Sequence, residues 1–193
     1  MVGRRWTVEG NRRLTALTGA ALLVLLGAEC LTIPDVQEHL PQHLFIGLLL
    51  VPPIALKLAS AGYRFARYHR GDTEYRRAGT PSLLMRLAAP LVLLSTLAVF
   101  ATGLELWLFG LRFGARWILA HELSAYAWFG AMAVHVLGHL ERVGREVAAD
   151  VRPDPAVPGT TSRRSLLTAS LLLGLVLALV TLLWPSPFVV FSE

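Results

Sequence analysis

Leu83–Phe109 reads LLMRLAAPLVLLSTLAVFATGLELWLF, an apolar run in which only Arg86 and Glu105 carry charge. About 20 apolar residues suffice for a helix to cross the ~30 Å hydrocarbon core of a bilayer, whereas a spanning strand needs only about 10. Backbone polar groups in lipid must be satisfied within one helix or around a closed barrel, so an unbroken run of this length selects a helix. Working outward, four more runs of about the same length appear: Leu14–Ile33, His43–Tyr63, Trp117–Leu140 and Leu166–Trp184. Hydrophobic residues make up 54% of the chain and charged residues 16%, against roughly a quarter charged in a soluble domain. The reading is an all-α integral membrane protein with five spans.

The 193 residues carry a net charge of +5, but the basic residues sit between the apolar runs. That is a topology pattern, not a nucleic-acid patch. Arg4, Arg5, Arg12 and Arg13 precede the first span; Arg64, Arg67, Arg70, Arg76 and Arg77 follow the second. Arg142, Arg145, Arg152, Arg163 and Arg164 follow the fourth, while Pro34–Gln42 has no Lys or Arg. The positive-inside rule then puts the N-terminus on the cytoplasmic side and runs the second and fourth spans from outside to inside. The arginine-rich usage, with abundant Ala, Gly, Leu and Val, points to a bacterial cytoplasmic membrane. The Pro- and Gly-containing stretch Val151–Thr161 reads as a cytoplasmic linker, and the arginines of Ser162–Leu167 as flanking charge on the last span. The Pro52-Pro53 pair predicts a kink in the second span. The single Cys30 excludes an internal disulfide and a cysteine-held cluster. There is no GxSxG, HExxH, phosphate loop or dinucleotide fingerprint.

The chemistry lies in the histidines. His121 and His135 are 14 residues apart in the fourth span, which sets them within about 40° of one helix face and about 21 Å apart along the axis. Two imidazoles on one face, one toward each side of a bilayer, are what two stacked haems require, because haem iron in electron-transfer sites takes His as an axial ligand. Each iron needs a second ligand from a facing helix. The second span offers His43 level with His121 and, 14 residues on, Lys57 level with His135.

This arrangement resembles the N-terminal haem-binding four-helix bundle of cytochrome b, in which two co-directional helices each offer two His fourteen apart. The likeness covers about the first 140 residues, and the chain is also similar to small bacterial b-type cytochromes that anchor oxidoreductases in the membrane. The resemblance implies a bundle over residues 1–145, with 146–165 as linker and 166–193 as a fifth helix and short outer tail. It implies two haem b groups, the outer one held by His43 and His121 and the inner one by Lys57 and His135. It further implies transmembrane electron transfer as a subunit of an oxidoreductase. The family's quinone-site signatures are absent, so the resemblance does not imply quinone chemistry, and a redox enzyme or a quinone is the partner that such an electron conduit would use. Lys57 departs from the family, which has His there.

Lysine binds iron only when deprotonated, which burial favours. Lys57, the one lysine in the chain, has two other readings: snorkelling to the inner interface and pairing with a haem propionate. His139 is an alternative inner ligand. Gly47 and Gly130 are positions where a flat macrocycle would approach a helix backbone, with plain helix packing as the alternative. Arg86, Arg112 and Arg116 are candidate propionate partners. Glu105 is an intramembrane carboxylate suited to a proton or quinol role. The Tyr63–Tyr75 connection, with Phe65 and Tyr68 among its arginines, is a cytoplasmic anchor or docking surface. Two further readings stand beside the dihaem one: a single-haem cytochrome with Lys57 structural, and a haem-free scaffold or transporter subunit.

Overall fold

The computed structural model describes residues 7–151, 157–184 and 186–187. Among them the chain forms α1 (Val8–Cys30), α2 (Leu40–His69), the short α3 (Thr73–Arg77), α4 (Leu83–Phe109), α5 (Arg116–Leu137), α6 (Leu140–Val151) and α7 (Thr160–Leu183), with no strand. Arg4, Arg5, Arg152, residues 153–156 of the expected linker and the tail beyond 187 lie outside the described residues.

Local chemistry explains where the helices start and stop. Thr7 is extended and its hydroxyl accepts the Gly10 N–H at 2.9 Å, so α1 starts well before the apolar run. Gly110, at φ 58°, ends α4 in a region open to glycine at no steric cost. Asp72 caps α3 by accepting from the Glu74 and Tyr75 N–H groups. Helix α2 remains helical through Pro52 and Pro53. Each proline withholds a hydrogen from the carbonyl four residues earlier, and Pro53 thereby releases that of Leu49. Gly174 of α7 lies against this carbonyl so closely that a Cβ there would collide with it. The oxygen orphaned by Pro53 is thus covered by a neighbouring helix, which is how proline is tolerated in spanning helices.

Four helices, α1, α2, α4 and α7, are long and apolar enough to cross a membrane. Helix α5, expected as a span, has 22 residues but is not among these four; His121, Glu122, Ser124 and His135 lower its hydropathy. The burial pattern departs from that of a water-soluble bundle, although Leu14, Leu22 and Leu50 are buried. Thr18 and Ala178 are fully buried, while Leu87 and Leu94 of α4 are 65% and 64% exposed. Small and hydroxylated residues let helix backbones approach, and many leucines face outward, as packing in lipid allows.

The chain divides into two compact units. The first, residues 1–80 and 141–180, contains α1, α2, α3, α6 and most of α7. Its centre is the antiparallel α1–α2 pair. The second, residues 81–140 and 181–193, is built on the antiparallel α4–α5 pair. Within the first unit α6 and α7 group with the N-terminal hairpin.

Candidate functional site

Each hairpin holds one imidazole by its Nδ1. In the first unit, His43 is near the start of α2 and Glu29 near the end of α1. The short connection between the helices sets them at the same height. His43 Nδ1 lies 2.9 Å from Glu29 Oε1 and 3.1 Å from the Thr32 hydroxyl. Thr32 donates its own hydrogen to the Glu29 carbonyl at 2.7 Å, so both partners of Nδ1 are acceptors and Nδ1 carries the proton. In the neutral ring the lone pair is then on Nε2. Glu29 Oε2 is buried and has no hydrogen-bond partner among the described residues.

In the second unit, His121 Nδ1 lies 3.0 Å from the Thr102 hydroxyl. The Thr102 hydroxyl also reaches the Ala98 carbonyl at 2.8 Å; with its hydrogen directed there it accepts from Nδ1, which assigns His121 the same tautomer. The ring lies over Gly103, where an added Cβ would come within 3.0 Å of its Cε1. A metal-bound histidine characteristically has its other ring nitrogen fixed in this way, which sets tautomer and ring direction.

The remaining candidates are placed differently. Lys57 turns toward α1: its ammonium donates to the Thr15 carbonyl at 3.1 Å and occupies the space above Gly19, where a Cβ would lie 2.6 Å from Nζ. His135 stacks edge-on against His139, ring centres 4.7 Å apart. Gly47 has only the Glu29 carboxylate near its missing Cβ, at 3.9 Å, and Gly130 has open space there. Arg86 and Arg116 are exposed. Both carboxylate oxygens of Glu105 are buried without a hydrogen-bond partner among the described residues. The Tyr63–Tyr75 stretch is helical over most of its length: α2 runs to His69 and α3 follows. Within it the Arg67 guanidinium lies 5.9 Å from both the Tyr63 and Tyr75 ring centres and pairs with Asp72.

Arg163, read from sequence as flanking charge, is instead 1% exposed. It donates to Asp150 Oδ1 through Nε at 3.0 Å and through a terminal nitrogen at 2.5 Å.

Sequence reasoning missed Glu29, Thr32, Thr102 and Gly103, the residues that hold the two imidazoles. Glu29 was legible as a carboxylate one short turn-back away from His43; Thr102 gave no signal, being one hydroxyl among several in the third run. Among the described residues no group of three or more His, Cys, Asp or Glu is gathered as a metal centre, whereas a haem asks the chain only for axial ligands. Comparison with protein families, curated proteins and solved structures gives no match to this chain.

Proposed function

We propose that this chain is a membrane-bound b-type cytochrome in which His43 and His121 offer Nε2 to haem iron. The observation that supports it best is the shared state of these two imidazoles. Their hydrogen bonds assign each a proton on Nδ1, directed to an acceptor from the partner helix of its own hairpin or, for Thr32, from the turn between them. Haem, when bound, supplies reversible one-electron chemistry. The chain supplies the donors, fixes their tautomer and surrounds them with apolar helices. Glu29 adds a carboxylate behind one donor, which strengthens the imidazole as a ligand and favours the oxidised state. In this reading α5 crosses the membrane with α1, α2, α4 and α7. The N-terminus lies on the cytoplasmic side of a bacterial membrane, and a redox enzyme or quinone is the partner.

The two-haem form requires a second iron held by His135 and Lys57. One observation favours the single-haem form: the Lys57 ammonium is already engaged by the Thr15 carbonyl. To bind iron it would have to lose its proton and leave α1. A haem count on purified protein separates the two forms. A reduced-minus-oxidised spectrum with sharp Soret and alpha bands is expected, and His43→Ala and His121→Ala should each remove the same band. Colourless protein from cells well supplied with haem defeats the proposal in both forms.

A further inference from the structure

The first unit contains a cavity of about 360 Å³ at the Val8 end of α1, the Arg64 end of α2 and one face of α6, within the usual ~300–1,000 Å³ of ligand pockets. Four arginines, Arg12, Arg64, Arg142 and Arg145, line it against one carboxylate, Glu146. Arg12 is matched: it pairs with Glu9 and Glu146 at 2.6 Å each. Arg145 reaches Glu141 at 3.7 Å. Among the described residues, the side chains of Arg64 and Arg142 have neither an ion pair nor a hydrogen bond, yet Arg64 lies within electrostatic reach of both Arg142 and Arg12.

Topology alone does not ask for this. The positive-inside rule requires arginines on one side of the membrane, where they can spread into water. Here three elements distant in sequence turn guanidiniums of like sign toward one concave space. Such a gathering is unfavourable without a counter-charge, and Glu146 is already engaged by Arg12. We propose that this cavity binds a phosphate group, with Arg64 and Arg142 as its principal donors and Arg12 and Arg145 at its margin. Planar guanidinium forks match phosphate oxygens two at a time, and the unmatched charge suits a multivalent anion. Helices α1 and α2 are both apolar enough to span a membrane, so the cavity lies where they leave the apolar layer. A phosphate reaches it either as a phospholipid headgroup from the bilayer plane or as a soluble phosphorylated molecule from the aqueous side. The inference is independent of haem.

The test uses the full chain in neutral detergent, with thermal unfolding as readout. Pyrophosphate is titrated at ionic strength matched with chloride. In a second arm, micelles are doped with phosphatidylglycerol or, as control, phosphatidylcholine. The parent is compared with Arg64→Gln/Arg142→Gln and with Arg70→Gln/Arg77→Gln, which removes the same charge outside the cavity. Stabilisation by pyrophosphate that weakens at least about tenfold in the cavity variant, and not in the control variant, supports a soluble phosphorylated ligand. The same pattern with phosphatidylglycerol supports a lipid headgroup. Equal responses from all three proteins, or none from the parent, overturn the proposal. If the double variant does not fold, Arg142→Gln on the exposed face of α6 gives the same comparison.

Discussion

Replacing Asp150 by alanine takes away the one carboxylate that pairs with Arg163 among the described residues, and that guanidinium is 1% exposed. Two of its hydrogen bonds vanish, those from Nε and a terminal nitrogen to Asp150 Oδ1. Those to the Pro158 carbonyl and the Thr160 hydroxyl remain, at 3.0 and 2.9 Å. A hydrogen bond to a charged partner contributes about 1.5–3 kcal/mol, so two give about 3–6 kcal/mol. Breaking a buried pair from one side costs about 3–5 kcal/mol, and the two figures agree. Arg164 also loses a carboxylate oxygen at 3.7 Å, but it is half exposed and its share is small. The folded-to-unfolded ratio should therefore fall by about a hundredfold or more.

The assay is unfolding of the purified chain by increasing sodium dodecyl sulfate in mixed micelles, followed by helical circular dichroism. Arg163→Met in the Asp150→Ala background then removes the stranded charge and fills the space with a flexible apolar chain. The double variant should be more stable than Asp150→Ala alone, a coupling that independent sites do not give. If Asp150→Ala unfolds within about 1 kcal/mol of the parent, the pair behaves as an exposed one and its role in tying α6 to α7 is refuted. Additive effects in the double variant would refute it equally.

Four other outcomes are expected. Thr102→Val removes the acceptor at His121 Nδ1 and should weaken haem retention by about 10–100-fold, while Glu29→Gln should keep haem bound and raise its reduction potential; unchanged retention and potential in both variants would break the link between these residues and iron. Lys57→Met exchanges the bond to Thr15 for apolar contact above Gly19, and should cost about 1 kcal/mol and leave the haem count unchanged; loss of a haem makes Lys57 a ligand after all. Gly174→Leu drives a side chain into the Leu49 carbonyl, which as backbone cannot yield, and should destabilise by about 1–3 kcal/mol; an unchanged unfolding midpoint would mean that α7 does not contact α2 there. Burial of Glu146, with Arg12 opposing and Glu9 adding to it, raises its pKa from the ordinary carboxylate value. The folded state therefore favours the protonated form, and this contribution is present at acid pH and lost as pH rises through the raised value. Parent stability should fall across that window and Glu146→Gln should not; parallel pH profiles exclude the carboxyl as the cause.

The apolar runs carried the helices, and α4 is the clearest case, matching the sequence reading at both ends. Elsewhere the boundaries moved for identifiable reasons. Asn11, Arg12 and Arg13 lie ahead of the first run, yet Thr7 caps a helix that includes them, because Asn11 and Arg13 are buried in the hairpin. Helix α6 escaped notice because five of its twelve residues are charged, which breaks up its apolar residues. The spacing of Leu140, Val143, Val147 and Val151 was the available signal. Once α6 is missed, Arg163 has no visible partner and can only be read as flanking charge. Histidine positions were legible because imidazole in an apolar run is conspicuous. The direction of each ring was not, because it depends on a hydroxyl or carboxylate on another helix.

The hydrogen-bonded polar residues in these apolar helices include two kinds, and the difference bears on function. Thr18, Ser95 and Ser170 return their hydroxyl hydrogens to carbonyls of their own helix, which satisfies the group and fixes nothing beyond it. Asn11 with Ser60, Lys57 with Thr15, and His43 with Glu29 reach across from α1 to α2. Moving up α1 from Asn11 to Thr15 to Glu29, the partners descend α2 from Ser60 to Lys57 to His43. On α4 and α5, Trp128 donates to Thr96 at 3.0 Å, and His121 meets Thr102 further along. Each set fixes the sliding register of an antiparallel pair, which leucine against leucine in lipid would leave loose. The two imidazoles belong to these registers, so their heights follow from the same bonds that hold each hairpin together. A change at Ser60 or Thr96, far from either ring, should therefore displace His43 or His121 along its helix, and haem retention would respond to it more sharply than overall helix content.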